Sequence, residues 1–262
     1  MKKKQIIIAG PCAVESQEQV TASIQQAKAF GVDFIRLSLW KPRTKPGFEG
    51  FGEEGIKFLI QAAQAGLNPG VEPLIPEQTQ KVVNAVLPHL NNQKLMIWIG
   101  ARNQNHYIQR EIARIAAQDK RIMLMVKNQI WPDEKHWEGI AEHVLAGGIE
   151  KENLLLCHRG FIPYGDNPHG YRNIPDWDMA MRIKKKTGLP MIFDPSHTGG
   201  NVENVFRISH QANEHDFDGM IIEVHPNPAN AITDAKQQIT WGQLKELTTS
   251  LRETRPFPEE SQ

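Results

Sequence analysis

The feature that most constrains this chain is a repeated alternation of short apolar runs with amphipathic helical stretches. Eight runs read as strands: Gln5–Ala9, Asp33–Leu39, Gly70–Glu72, Leu95–Ile99, Ile122–Val126, Asn153–Cys157, Pro190–Phe193 and Gly219–Glu223. Most are continuously apolar rather than alternating, the pattern of parallel strands covered on both faces. Gly70–Glu72 is short and runs directly into Pro73. Between the runs lie apolar stripes at helical spacing. Val20, Ile24 and Ala27 form one, with Ser16 and Gln19 spaced as a capping box and Gly31 placed as a stop. Ile56, Leu59, Ile60 and Ala63 form another, ended near Gly66. Ile108, Ile112 and Ile115 form a third, and Trp137, Ile140, Ala141, Val144 and Leu145 a fourth, closed by Gly147–Gly148. Pro175–Asp176 opens a helix that stops at Gly188. Val202–Gln211 and Thr240–Leu251 complete the series.

Eight strand–helix units predict an α/β fold, a single-domain (β/α)8 TIM barrel, with a doubly wound open sheet as the alternative. The 262 residues suit one such barrel over 1–262, with its core over about 5–252 and a frayed tail at Arg255–Gln262. No linker or low-complexity stretch divides the chain. Lys+Arg and Asp+Glu balance at 30 each, so no global field attracts nucleic acid or a membrane. Any anionic ligand has to be held by a local cluster. Two cysteines, Cys12 and Cys157, are too few for a disulfide framework and fit a reducing compartment. The opening MKKKQIIIAGPC carries only a four-residue apolar run, too short for a signal peptide, and no segment reaches membrane-spanning length. A cytoplasmic location is the expectation.

The chemistry collects at the strand ends. The first strand runs into Gly10-Pro11-Cys12, the second carries Arg36 and leads to Lys41-Pro42-Arg43-Thr44, and the third ends at Glu72. The next three lead to Gly100-Ala101-Arg102, to Lys127 and to His158-Arg159-Gly160. The last two lead to Asp194-Pro195-Ser196-His197 and to Glu223-Val224-His225, with Asp234 soon after. In a barrel these ends share one face, where such enzymes place their active sites. Six cations would meet there: Arg36, Lys41, Arg43, Arg102, Lys127 and Arg159. Crowded cations repel one another unless anions fill the space, so the set implies one polyanionic or two phosphorylated substrates. Taken singly, each reads as a surface cation. Cys12, His197, Glu223 and Asp234 bring thiolate, imidazole and carboxylates, a donor mix for Mn, Fe, Co or Zn. No pair among them has local motif spacing, so this inference depends on the barrel. Taken alone, Cys12 reads as a small buried hydrophobe.

Taken in order, these pieces resemble the 3-deoxy-D-arabino-heptulosonate 7-phosphate (DAHP) synthase family. The pieces are IAGPCAVES, KPRT followed by GFEGFGEEG, IWIGAR, MVKN, LLLCHRG, YRN, FDPSHTGG, FDGMIIEVHPNP and ITDAKQQ, in register from about Ile6 to Thr240. Their wording is most similar to the branch often fused to a chorismate mutase domain, and the chain ends where that domain would begin. The resemblance implies that Cys12, His197, Glu223 and Asp234 bind one divalent ion, Mn²⁺ first, with Fe²⁺, Co²⁺ or Zn²⁺ open. It implies that Arg102, Lys127 and Arg159, with Ala101 beside them, hold the phosphate of phosphoenolpyruvate, and that Arg36, Lys41 and Lys127 face its carboxylate. Glu72 would orient the attacking water. Pro42, Arg43 and Thr44 would approach erythrose 4-phosphate. Catalytic roles fall on Lys127, Glu72, Lys41 and His197. A homo-oligomer and a separate chorismate mutase partner are family expectations. The competing resemblance is 3-deoxy-D-manno-octulosonate 8-phosphate synthase, which takes arabinose 5-phosphate and carries a KANRS-type segment where this chain has KPRT. A non-catalytic barrel subunit would be expected to have lost a ligand or a phosphate-binding cation, and none is lost here. Three departures stand out: a shorter loop at Lys45-Pro46-Gly47-Phe48, Pro73 after Glu72, and His158 where other branches place Glu. The Gly/Pro/Asn-rich stretch Tyr164–His169 reads as a mobile loop. With Tyr171-Arg172-Asn173 it either folds over the site or is plain surface.

Overall fold

A computed structural model describes residues 5–41 and 47–254. Eight parallel strands close into a barrel in sequence order, which decides between the two expected architectures. They are β1 (Ile6–Gly10), β2 (Phe34–Arg36), β3 (Pro69–Val71), β4 (Leu95–Ile99), β5 (Ile122–Lys127), β6 (Leu154–His158), β7 (Met191–Phe193) and β8 (Gly219–Glu223). The helices are α1 (Gln17–Phe30), α2 (Ile56–Gln64), α3 (Pro76–Val86), α4 (His106–Ala116), α5 (Glu134–Leu145), α6 (Trp177–Thr187), α7 (Pro195–Gly199), α8 (Val202–Ala212) and α9 (Trp241–Thr254). The expected frayed tail lies outside the described residues. Among those residues no helix is long and apolar enough to cross a membrane.

The sequence signals hold where capping chemistry is local. The Ser16 hydroxyl accepts from Gln19 N–H and opens α1, and Gly31 closes it at φ 80°. The capping box is not reciprocal, because the Gln19 side chain accepts from Glu15 N–H instead. Asp176 caps α6, and Gly188 ends it. Two differences from the sequence reading have physical causes. The second strand is shorter than Asp33–Leu39: beyond Arg36 the ladder continues only through Leu37 N–H to the Gly70 carbonyl. The carbonyls of Ser38 and Leu39 then serve the loop amides of Val14 and Gly52. Helix α3 was not among the expected elements. Its buried stripe is Thr79, Val82, Val83 and Val86, and one polar member weakens the apolar period.

The core divides by strand parity. Leu95, Ile97 and Ile99 of β4 pack outward in the layer shared with the helices. Met96 and Trp98 belong to a separate inner cluster with Ile8, Phe34, Met123, Met125, Leu155, Cys157, Ile192 and Ile221. This inner set fills the barrel. Successive strand residues face opposite sides, so the inner parity can be followed up each strand. It leads from Phe34 to Arg36, from Met125 to Lys127, from Cys157 to Arg159, from Ile192 to Asp194 and from Ile221 to Glu223. An apolar floor thus gives way, two residues on, to a charged mouth.

Candidate active site

The mouth encloses a cavity of about 570 Å³, within the size range of small-ligand sites. It is lined by Cys12, Arg36, Lys41, Glu72, Arg102 and Lys127, and also by Ala101, Arg159 and His197. Asp234 lines it too, and Glu223 is fully buried against His197 and Arg36. The barrel therefore gathers the described sequence-predicted residues. Pro42, Arg43 and Thr44, and most of the shortened loop after them, lie outside the described residues. A second hollow of about 400 Å³ between α4 and α5 holds His106, His136 and His143. Among the described residues, however, the only cluster of three or more acid, thiol or imidazole side chains drawn close enough to hold a metal is at the mouth.

One wall of the cavity carries that group. Atoms of Cys12, Glu223 and Asp234 lie within 4.8 Å of one another. His197 falls outside that set, although its Nε2 is 3.6 Å from Glu223 Oε1. Asp194 explains the orientation of His197. Asp194 opens the short helix α7 by accepting His197 N–H at Oδ1, and its Oδ2 takes the imidazole Nδ1 at 2.9 Å. A carboxylate only accepts, so the ring proton sits on Nδ1 and the Nε2 lone pair faces Glu223. Burial pulls His197 below its ordinary value, against Asp194 and Glu223, which keeps the ring neutral and competent to donate that pair.

The protonation of the other candidate donors follows from their neighbours. Burial, then Glu223 and Asp234, pushes the Cys12 thiol upward, against Lys41. Burial also opposes ionisation of the two acids, yet their neighbours win. Lys41 and Arg172 hold Asp234 far below the usual carboxylate range, and His197, Arg36 and Lys41 hold Glu223 below it. Asp234 is also the one non-glycine residue with positive φ, at 41°, among the described residues. Such backbone strain collects where function demands a side-chain direction. The Cys12 thiol donates to Asp234 Oδ2 at 3.5 Å, and the lone pair of a neutral imidazole faces the Glu223 carboxylate. Only positive charge makes that arrangement favourable. Lys41 Nζ supplies some of it, 2.7 Å from Cys12 Sγ and 2.9 Å from Asp234 Oδ2. The donor set fits a divalent ion.

The other wall is cationic. Lys127 pairs with Asp194 at 2.6 Å, deeply buried. Arg159 donates to the neutral Asn173 side chain at 2.8 Å. Burial, with Arg172 and Arg102 alongside, pushes Arg159 down to about 10 against the pull of Asp194, so it stays charged at neutral pH but at a cost. An incoming phosphate removes that cost. Glu72 lines the same cavity. Trp98 donates its indole N–H to Glu72 Oε2 at 2.7 Å, and the Arg36 guanidinium lies 5.4 Å over the same indole ring. Gly100 makes room for the Glu72 carboxylate, where a Cβ would collide.

Some expectations need correction. His158 belongs to the opposite parity from Arg159 and does not line the cavity. It stacks on Trp137 at 5.2 Å, and its Nε2 accepts from Asp176 N–H. His225 also turns away, toward Glu15 at 3.8 Å. Tyr171-Arg172-Asn173 is a fixed wall rather than a free flap. Phe161 and Ile174 pair as a β-bridge, and Tyr171 donates its hydroxyl to Gln211. The Asn173 side chain donates to the His197 carbonyl. Sequence reasoning gave no role to Asp194, Trp98 or Gln237, and for Arg172 and Asn173 left open a place over the site or on plain surface. The Asp-x-x-His spacing of a cap was the one available signal for Asp194.

The relatives agree with this geometry. Residues 2–258 match the family described as the DAHP synthetase I family. The chain is 32% identical over 248 residues to the phospho-2-dehydro-3-deoxyheptonate aldolase of Thermotoga maritima, covering 94% of this chain and 68% of that one. It is 26% identical to a 2-dehydro-3-deoxyphosphooctonate aldolase of Cupriavidus taiwanensis, over 97% of this chain and 90% of the other. Among solved structures, the Thermotoga maritima DAHP synthase superposes with a TM-score of 0.82 at 29% identity, over 96% of this chain and 69% of that one. A truncated form of the 3-deoxy-D-arabino-heptulosonate 7-phosphate synthase from Thermotoga maritima gives 0.80 at 28%, over 96% and 87%. A barrel of matching shape, a match along nearly its whole length and this mouth lead to one conclusion: the chain belongs to the DAHP synthetase I family.

Proposed function

We infer that this protein condenses phosphoenolpyruvate with D-erythrose 4-phosphate and water, releasing 3-deoxy-D-arabino-heptulosonate 7-phosphate and inorganic phosphate. The carrying observation is a single cavity lined both by a thiol, imidazole and carboxylate set and by Lys127, Arg102 and Arg159. Cys12, His197, Glu223 and Asp234 would hold one divalent ion, with Mn²⁺ first and Fe²⁺, Co²⁺ and Zn²⁺ also suited to the donors. When bound, that ion supplies Lewis-acid polarisation of the aldehyde oxygen.

This chain's own residues then position two anions and manage charge. Arg102, Arg159 and Lys127, beside Ala101, bind the enol phosphate, and Arg36 and Lys41 bind the carboxylate. Held there, C3 of phosphoenolpyruvate faces the aldehyde carbon. The new C–C bond forms as the enol π electrons attack, and positive charge develops at C2. Glu72, fixed by the Trp98 indole, orients a water toward C2. The resulting hemiketal phosphate expels inorganic phosphate, whose leaving charge the arginines stabilise. Lys127, buried against Asp194, gives a proton to the aldehyde oxygen as it becomes a hydroxyl, and the proton lost by the attacking water restores the balance. Pro42, Arg43 and Thr44, which lie outside the described residues, belong to the KPRT segment that the resemblance assigns to the aldehyde's phosphate. The free, buried thiols support a cytoplasmic setting. A homo-oligomer with feedback through a separate chorismate mutase chain belongs to the same reading.

Arabinose 5-phosphate is the competing aldehyde, but the relative named for the octulosonate product matches at 26% against 32% for the heptulosonate relative. The test supplies phosphoenolpyruvate, Mn²⁺ and each aldehyde in turn, following phosphoenolpyruvate loss and phosphate release. Turnover with erythrose 4-phosphate is expected. Turnover with arabinose 5-phosphate alone would move the assignment to the octulosonate reaction, and no turnover by folded protein with any of several divalent ions would refute it.

A further inference from the structure

The two carboxylates on the metal wall each divide their oxygens between an inner and an outer neighbour. Asp234 turns Oδ2 inward, toward Cys12 Sγ and Lys41, and Oδ1 outward, 3.4 Å from Arg172 Nη1. Glu223 turns Oε1 inward, toward His197 Nε2 and Arg36, and Oε2 outward, accepting from Gln237 Nε2 at 2.7 Å. The Gln237 amide accepts in turn from Arg172 Nη1, at 2.6 Å through Oε1. Its orientation is dictated, because a guanidinium only donates and a carboxylate only accepts. Arg172 therefore grips the outer oxygen of Asp234 directly and that of Glu223 through one amide.

The place of Arg172 is built into the fold. Its neighbours Tyr171 and Asn173 are pinned to Gln211 and to the His197 carbonyl. Gly200 clears its path: a Cβ there would stand 2.6 Å from Arg172 Cβ, and the φ of +79° already favours glycine. The direction of these contacts separates Arg172 from the other cations. Arg36 and Lys41 bind inner oxygens, which an ion would also claim. Arg172 binds outer ones, a contact compatible with a bound ion.

We propose that Arg172 is a positioning residue that selects which single oxygen of Asp234 and of Glu223 faces the metal. The proposal rests on the metal assignment made under Proposed function. Freed of Arg172, both carboxylates can rotate, and the ligand set loses its preorganisation. Partners behind metal ligands typically contribute about 10–100-fold in metal affinity.

The test titrates metal-free protein with Mn²⁺ by calorimetry and records the visible spectrum with Co²⁺. Arg172→Met should weaken Mn²⁺ binding about 10–100-fold and alter the Co²⁺ ligand-field bands, while keeping the thiolate-to-cobalt band and the melting temperature of the metal-free protein. Arg172→Lys should fall between Arg172→Met and the unmodified protein. Gln237→Met should weaken binding in the same direction, and the double variant should lose less than the product of the two single losses. Mn²⁺ affinity within twofold of the unmodified protein in Arg172→Met, with binding abolished by Cys12→Ala, would overturn the proposal and leave the metal assignment standing. Binding unaffected by Cys12→Ala would remove the assignment and the proposal with it. If Arg172→Met does not fold, unchanged affinity in both Arg172→Lys and Gln237→Met overturns the proposal.

Discussion

Ion pairs at the barrel mouth and on the helical shell look alike in length and differ in everything else. At the mouth, Lys127–Asp194 spans 2.6 Å with side chains 5% and 0% exposed, and Arg36–Glu223 spans 3.2 Å at 3% and 0%. On the shell, Lys186–Glu138 also spans 2.6 Å, but at 58% and 22% exposure, and Arg182–Glu134 spans 2.8 Å at 56% and 36%. Contact length therefore says nothing about role, and desolvation decides it. Water screens the shell pairs to a marginal contribution. The mouth pairs are tolerated in a low-dielectric interior only because each charge has its partner, and well-packed apolar residues often serve stability as well. Charges kept there at that cost make sense when a ligand uses them.

Breaking the comparison at its strong end should give the largest effect. Asp194→Asn keeps a capping side chain on α7 but leaves Lys127 unpaired and His197 less firmly oriented. We expect a loss of about 3–5 kcal/mol in urea unfolding of the metal-free protein. Turnover should fall about 10–100-fold. Unchanged stability would mean the mouth pairs behave like shell pairs. Arg159→Met should separate function from stability. Removing a crowded cation should leave the melting temperature the same or higher. The kcat/KM for phosphoenolpyruvate should fall by about 2–5 kcal/mol in equivalent free energy, from the loss of a buried charge pair with phosphate.

His158 offers an intermediate case, a buried titratable group kept neutral rather than paired. Burial first, then Arg159, holds it down to about 3 against an ordinary 6.5. Between those values the unfolded chain binds more protons, so stability is full above about pH 6.5 and falls as pH drops toward 3, by up to about 1.4 kcal/mol per unit. His158→Gln should flatten that acid limb in unfolding titrations, and an unchanged limb would locate the sensitivity elsewhere. The smallest effect belongs to the shell. Arg182→Ala and Lys186→Ala should each leave the unfolding midpoint almost unchanged, the more so in high salt, with turnover unaffected.

Adjacent residues with opposite fates mark how far the sequence could be read. The barrel was legible because eight apolar runs alternate with capped helices, and the mouth because chemistry follows nearly every run. Those same continuous runs conceal strand parity. His158 and Arg159 therefore seemed to belong to one polar cluster, although one packs among aromatic rings and the other faces the cavity. The candidate metal set was invisible to local spacing, since Cys12 and Asp234 stand at opposite ends of the chain, and only the expected barrel, then the resemblance, joined them. The network behind it, Arg172, Gln237 and Asp194, was harder still. Those roles are defined by which oxygen or nitrogen each group touches, and a string of residue types does not carry that. Helix α3 escaped because the first residue of its buried stripe is Thr79 rather than an apolar residue.

The central claim, that one mouth holds a metal on one wall and phosphoenolpyruvate on the other, is tested most directly by a crystal structure grown with phosphoenolpyruvate and Mn²⁺. The account predicts a single anomalous peak within about 2.0–2.4 Å of Cys12 Sγ, His197 Nε2 and one oxygen each of Glu223 and Asp234. The phosphate should lie against Arg102, Lys127 and Arg159. A metal bound elsewhere, or phosphoenolpyruvate seated outside the cation wall, would contradict it.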